Sequence, residues 1–235
     1  DVAVLTDAWG VPTRNYPQLV VHTNAWDHLW WPEWNTHDGW RMVRVPRTDL
    51  LLTPLRHAHG LDELTYHAGH LVIGGSEPTG VLGSEYVADG FALHGMGLLA
   101  IAASAARRAV SRARDYSLTR RQGGQVIGAH DAVAQLLARS EQSLATTRAV
   151  LDHLAGLPAD LSRLQQVWRA RAQLHPLLTA AGSDALQVFG GVGYMRDVGA
   201  EKDLRDLNTV RRLGGSPMEL TLRCAGFDDS LGVVP

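Results

Sequence analysis

Two glycine-bearing turns in this 235-residue chain stand next to polar side chains suited to holding a phosphate. The first follows Tyr116-Ser117-Leu118-Thr119-Arg120-Arg121-Gln122 and contains Gly123-Gly124. An arginine at the edge of such a turn makes a bidentate, charge-assisted contact with a phosphate. The second is Ala185-Leu186-Gln187-Val188-Phe189-Gly190-Gly191-Val192-Gly193-Tyr194, a helix-like run that breaks at paired glycines, where backbone amides come close to an anion. Arg205-Asp206 and Gly214-Gly215-Ser216 follow it. A third group is His57, His59, His67 and His70. Imidazoles in a short span are ligands of the right type for zinc or copper. Strand-like surroundings alternate their faces and no cysteine or carboxylate joins them, so surface histidines and no metal are expected. No nucleophile elbow and no nucleotide-hydrolase phosphate loop is present.

The elements that must position these residues fall into two halves. To about Gly83 the chain is β-rich, with strand-like runs at 18–21, 40–45, 50–55 and 70–73 separated by Pro, Gly, Asn and Asp. Six of the seven tryptophans lie in this half, which suits a small β core or interface; an aromatic wall beside a planar ring is the alternative. From Val87 the pattern is helical. Val133, Leu136, Leu144, Leu151 and Leu154 form one apolar stripe, and Leu161, Leu164, Trp168 and Leu174 a second. Gly156-Leu157-Pro158 separates the two, and Pro176 is expected to kink or end the later helix. With a fourth helix after Tyr194, the expected fold is mainly α: an antiparallel four-helix bundle over 86–235, preceded by a small β-rich domain over 1–85.

Composition narrows the function. Hydrophobic residues are 45% and charged residues 20%, with a formal net charge of -2, so no overall basic field draws nucleic acid. The arginines at 107, 108, 112, 114, 120 and 121 predict a solvated helix face. The apolar run from Phe91 to Ala106 is shorter than the roughly 18 residues of a spanning helix, which predicts a buried helix and no membrane contact. A single cysteine suits a reducing, cytoplasmic setting.

The two turn motifs, in this order and separated by bundle helices, resemble the acyl-CoA dehydrogenase family of flavoproteins over about Val87 to Leu222. Tyr116, Ser117, Arg120, Gly124 and Ile127 fall on one family pattern, with Gly123 in place of its phenylalanine. Gln187, Gly190, Gly191, Glu201-Lys202 and Arg205-Asp206 fall on the other. The resemblance implies FAD shared between subunits, with Arg120 on its pyrophosphate and Gln122, Gln187, Gly190, Gly191 and Ser216 beside it. It implies a homodimer, a homotetramer or a hetero-oligomer with a homologous chain. It also implies α,β-dehydrogenation of an acyl thioester, in which a glutamate removes the α-proton. Counting from Arg205, that glutamate's position holds Gly214, and the alternative position on the first bundle helix is read as Val87. Glu85, Asp89 and Glu219 are the nearest carboxylates. The gap leaves two alternatives open: a flavin-dependent monooxygenase, which needs no such base, and a non-catalytic subunit that completes a partner's FAD site.

Overall fold

The computed structural model describes residues 3–5, 18–22, 26–35, 39–55, 59–72 and 80–225. The β part contains β1 (Ala3–Leu5), β2 (Gln18–His22), β3 (His28–Asn35), β4 (Gly39–Pro46), β5 (Leu50–Pro54), β6 (Thr65–Leu71) and β7 (Val81–Leu82). They form a four-stranded sheet in the order β1-β3-β4-β7 and a three-stranded sheet in the order β2-β6-β5. In the β3–β4 ladder Leu29 faces Val45 and Trp31 faces Val43. All four are buried, as alternate residues on one sheet face should be. Val20, Trp26 and Leu50 complete this small core, so Trp26 and Trp31 are core residues of the β part.

β3 is a strand that the sequence hides, because Pro32 lies inside it. Proline removes a ladder donor and is tolerated where a strand has an open edge. β1 pairs only with His28 to Trp30, so among the described residues β3 has that open edge at Pro32.

The helical part begins with α1 (Ser84–Thr119), 36 residues or about 54 Å long. A hairpin of β8 (Arg121–Gln122) and β9 (Gln125–Val126) leads to α2 (Asp131–Ala155). Then come α3 (Leu161–Phe189), α4 (Ala200–Val210) and α5 (Pro217–Cys224). Asp160 caps α3 by accepting from the Arg163 backbone N–H at 2.9 Å. Pro176 does not end α3, which continues to Phe189. The proline lies on the exposed side, where water can take the orphaned carbonyl, while Leu174, His175 and Leu178 anchor the other side in the core.

Two contacts fix the direction of the long helices. Gly95 on α1 lies against Val167 and Arg171 on α3, and the Tyr116 ring packs, tilted, against Phe189. Sequence rises along both helices together, so α1 and α3 run parallel. α2 runs antiparallel to both, with Arg114 paired to Glu141 and Arg139 to Asp184. The mainly α bundle is as expected from the apolar stripes.

By length and composition α1 passes as a spanning helix, contrary to the sequence expectation. Its Leu99, Ala102, Ala106 and Val110 are nevertheless core residues of the bundle. A packed core helix and a spanning helix share one composition, and here these side chains pack into the bundle. The close approach of α1 to α3 is at Gly95, whereas a Cβ at Gly97 would meet nothing within 4 Å.

Candidate functional site

The parallel run of α1 and α3 brings both turn motifs to one end of the bundle. The Tyr116 and Phe189 ring centroids are 4.9 Å apart, four residues before Arg120 and one before Gly190. Arg120 caps α1, its N–H donating to Tyr116 O at 2.9 Å. Its side chain is exposed and, among the described residues, has no partner. Arg121 instead donates to Gly124 O at 3.2 Å. Gly123 and Gly124 have φ of 59° and 84°. The left-handed backbone at Gly123 explains why glycine, and not a bulky aromatic, closes this hairpin. Gln122 is exposed, and its carbonyl accepts from His130 Nε2 at 3.1 Å.

On α3, Gln187 is exposed and its carbonyl accepts from the Gly190 N–H at the helix end. Gly190 has φ 62° and ψ -148°, a region essentially restricted to glycine. A Cβ at Gly190 or Gly191 would meet nothing within 4 Å, so the paired glycines leave an open cradle of backbone. Gly193 is closed by contrast, with its Cβ direction 2.8 Å from Leu186 Cδ1.

The charged pairs on α4 do different work. Asp206, buried, accepts from the Leu61 N–H at 2.7 Å and from Lys202 at 2.8 Å. Arg205 bridges Glu201 at 2.7 Å and Asp62 at 3.0 Å, and donates to His59 O at 2.9 Å. Those two carboxylates push the guanidinium pKa up, Glu201 first. Gly60 lies so near α4 that a Cβ there would be 2.5 Å from the Arg205 carbonyl. Glu201-Lys202 and Arg205-Asp206 therefore pin the 59–63 loop of the β part onto the bundle. The basic run on α1 is likewise more than a solvated face. Arg108 and Arg112 converge on the buried Asp203, at 2.5 and 3.4 Å.

At the third place, Leu213, Gly214 and Gly215 are buried, and the two glycines have φ of 64° and 102°. Arg171, fully buried on α3, donates to Gly214 O at 2.8 Å and to Leu213 O. Sequence reasoning missed this residue. Its signal was a charge on the apolar stripe, between Trp168 and Leu174. Ser216 is the N-cap of α5, its hydroxyl accepting from the Glu219 N–H at 3.4 Å. Glu219 returns the bond to Ser216 N at 2.6 Å, a capping box. Burial pushes the Glu219 carboxyl up, but Ser216 and the arginines Arg223 and Arg212 outweigh it and hold the pKa below the usual range. Asp89 is ion-paired with the buried Arg163. The side chain of Glu85 lies outside the described residues.

A cleft of about 600 Å³ opens beside this turn, between the β part and the end of α4, lined by Leu19, Tyr66, Thr209, Arg211, Arg212 and Leu213 among others. The Tyr66 hydroxyl donates to Gly60 O at 3.0 Å, and burial, then Asp206, push its pKa up to about 12. Of the histidine group, His67 is stacked on and hydrogen-bonded to His22 at 2.9 Å, and His57 lies outside the described residues.

Residues 82–220, which include all five described helices except the end of α5, match the acyl-CoA dehydrogenase C-terminal domain. The chain belongs to the acyl-CoA dehydrogenase family. It is 31% identical over 126 residues to an acyl-CoA dehydrogenase of Bacillus subtilis, covering 52% of this chain and 32% of that one. The chain spans about a third of the length of the curated relatives it matches. Among solved structures it resembles butyryl-CoA dehydrogenase from Megasphaera elsdenii, with a TM-score of 0.80, 14% identity, and coverage of 96% of this chain and 67% of that one. It also resembles PigA with FAD and proline, with a TM-score of 0.79, 14% identity, and coverage of 99% and 68%. At these identities the two structures speak for the fold.

Proposed function

We propose that the chain is the nucleotide-gripping part of an FAD-dependent oxidoreductase that dehydrogenates an acyl thioester. One observation carries this reading: α1 and α3 deliver Arg120, which has no partner among the described residues, and an open paired-glycine cradle, Gly190-Gly191, to the same end of the bundle. A guanidinium and free backbone amides are the donor set that a diphosphate needs. FAD fits this end: Arg120 and Gln122 on the hairpin side and Gln187, Gly190 and Gly191 on the α3 side would hold its nucleotide half. Bound flavin supplies a two-electron hydride acceptor. Arg120 and the glycine cradle are exposed, which suits a nucleotide shared with a neighbouring protomer. Ser216 stands apart from this end, with its hydroxyl engaged in capping α5.

The test is the absorbance of the purified protein with FAD added. Flavin bands that co-elute with the protein and bleach on adding an acyl thioester support the reading. A protein that binds no FAD overturns it. Gly214 favours a second reading, a subunit that completes the FAD site of a homologous chain carrying the missing carboxylate. Turnover by this chain alone would exclude that second reading.

A further inference from the structure

The charges of α4 and of the loop pinned to it are matched. Asp203 is held by Arg108, Asp206 and Glu63 by Lys202, and Glu201 and Asp62 by Arg205. Arg211 and Arg212, which follow α4, break this pattern: among the described residues neither side chain has a hydrogen-bond or ion-pair partner. Arg212 acts through space on Glu219, but that carboxylate is engaged with the Ser216 N–H at 2.6 Å. Both arginines line the cleft of about 600 Å³ beside the Gly214 turn, and none of its lining residues is acidic. Two neighbouring cations with no acid between them repel, so folding does not account for the pair. The cleft has the size of a small-molecule site, roughly 300–1,000 Å³. Its walls are fixed before a ligand arrives. Tyr66 is tied to Gly60 O at 3.0 Å, Leu61 to Asp206 at 2.7 Å, and the Leu213 carbonyl to Arg171.

We infer that this cleft takes a carboxylate at the far end of the substrate's acyl group, held by Arg211 and Arg212, so that the substrate is a thioester of a dicarboxylic acid. The inference rests on the thioester reading given above and adds the class of acyl chain. Leu19 and Leu213 give the cleft apolar surface for the methylenes of such a chain. The polar lining suits its charged end: Asn208 brings an amide and Thr209 a hydroxyl beside the arginines. Tyr66 adds no opposing charge, because burial, and then Asp206, push its pKa up to about 12 and keep the phenol neutral. A planar carboxylate matches the guanidinium fork with two parallel bonds. Phosphate sites draw besides on free backbone N–H groups at the start of a helix. This cleft stands at the opposite end of α4, where the Arg211 and Arg212 N–H groups already donate to Leu207 O and Thr209 O. That difference favours a carboxylate over a phosphate.

The experiment compares chains of one length that differ in charge. Hexanoyl, adipoyl and methyl-adipoyl thioesters are made on pantetheine, a carrier without phosphate, and their binding to the protein with FAD added is measured by equilibrium dialysis. Wild type holds the adipoyl thioester about 10-fold more tightly than either uncharged one, the gain of one charge-assisted contact at a part-exposed site. Replacing both arginines, Arg211→Gln with Arg212→Gln, brings that ratio to about one. Equal binding of all three thioesters by wild type overturns the inference, as does a preference that survives in the double variant. Should the double variant fail to fold, adipoyl against methyl-adipoyl on wild type decides, since the ester removes the charge and little else. Inorganic phosphate that displaces the adipoyl thioester at lower concentration than free adipate overturns the inference too, by marking a phosphate site. A protein that binds no thioester fails the reading above and takes this inference with it. One that binds hexanoyl and adipoyl thioesters alike fails the inference alone.

Discussion

Asp206→Ala tests whether the arginine-aspartate pair on α4 is a fastener. Asp206 is 5% exposed and accepts the Leu61 N–H at 2.7 Å, so truncation strands a part-buried backbone donor. A charge-assisted bond of this kind contributes about 1.5–3 kcal/mol. The Lys202 contact at 2.8 Å adds less, about 0.5 kcal/mol, because the lysine is partly solvated. The sum is a destabilisation of about 2–3.5 kcal/mol, which in a chain of this size lowers Tm by roughly 4–14 °C. Asp206→Asn keeps an oxygen for Leu61 and loses the charge, so it costs about 1 kcal/mol. Urea unfolding of the three proteins gives the comparison, and amide exchange at Leu61 localises the effect. Gly60→Ala pushes the same loop off the Arg205 carbonyl and should be less than additive with Asp206→Ala. An Asp206→Ala protein within about 0.5 kcal/mol of wild type would refute the fastener.

Three further outcomes follow from the geometry. Arg120→Ala lowers FAD affinity by about 10–100-fold, as expected for losing a charge-assisted contact of about 1.5–3 kcal/mol, with unchanged unfolding because the side chain has no partner among the described residues; isothermal titration and a melt check both. Arg171→Met strands the Leu213 and Gly214 carbonyls in the core and destabilises by about 2–4 kcal/mol, read by urea midpoint. Burial, then Arg171, hold His94 and His175 neutral, with pKa values lowered to about 4 and about 3. The unfolded chain therefore binds protons that the folded one refuses below about pH 6.5, so stability falls as pH drops from 6.5 towards 4, by on the order of 1 kcal/mol per pH unit for each ring. His175→Gln should flatten that slope, and an unchanged slope would contradict the burial argument.

The bundle was legible because leucine spacing reports a buried helix face directly. Leu144 and Leu154 on α2 and Leu164, Trp168 and Leu174 on α3 are all core residues. β3 was not legible, since Pro32 and the clustered tryptophans break the alternation that marks a strand. Pro176 misled in the opposite direction: packing on the far side of α3 outweighs one lost hydrogen bond. The turn motifs near Arg120 and Gly190 could be read from residue type, but their meeting at one bundle end depends on α1 and α3 being parallel, which no local pattern states. The α4 charges looked like part of a signature and proved to be long-range fasteners, because their partners at Gly60 to Glu63 lie some 140 residues earlier in the chain. Arg171 was passed over because a polar residue within an apolar stripe declares its role only when its surroundings are seen.

A crystal structure grown with FAD would test the central claim most directly. The account predicts the diphosphate within hydrogen-bond reach of the Arg120 guanidinium of one protomer and of the Gly190-Gly191 backbone, in the same protomer or its partner. A diphosphate bound elsewhere on the bundle, with Arg120 and the glycine cradle still facing solvent, would contradict it.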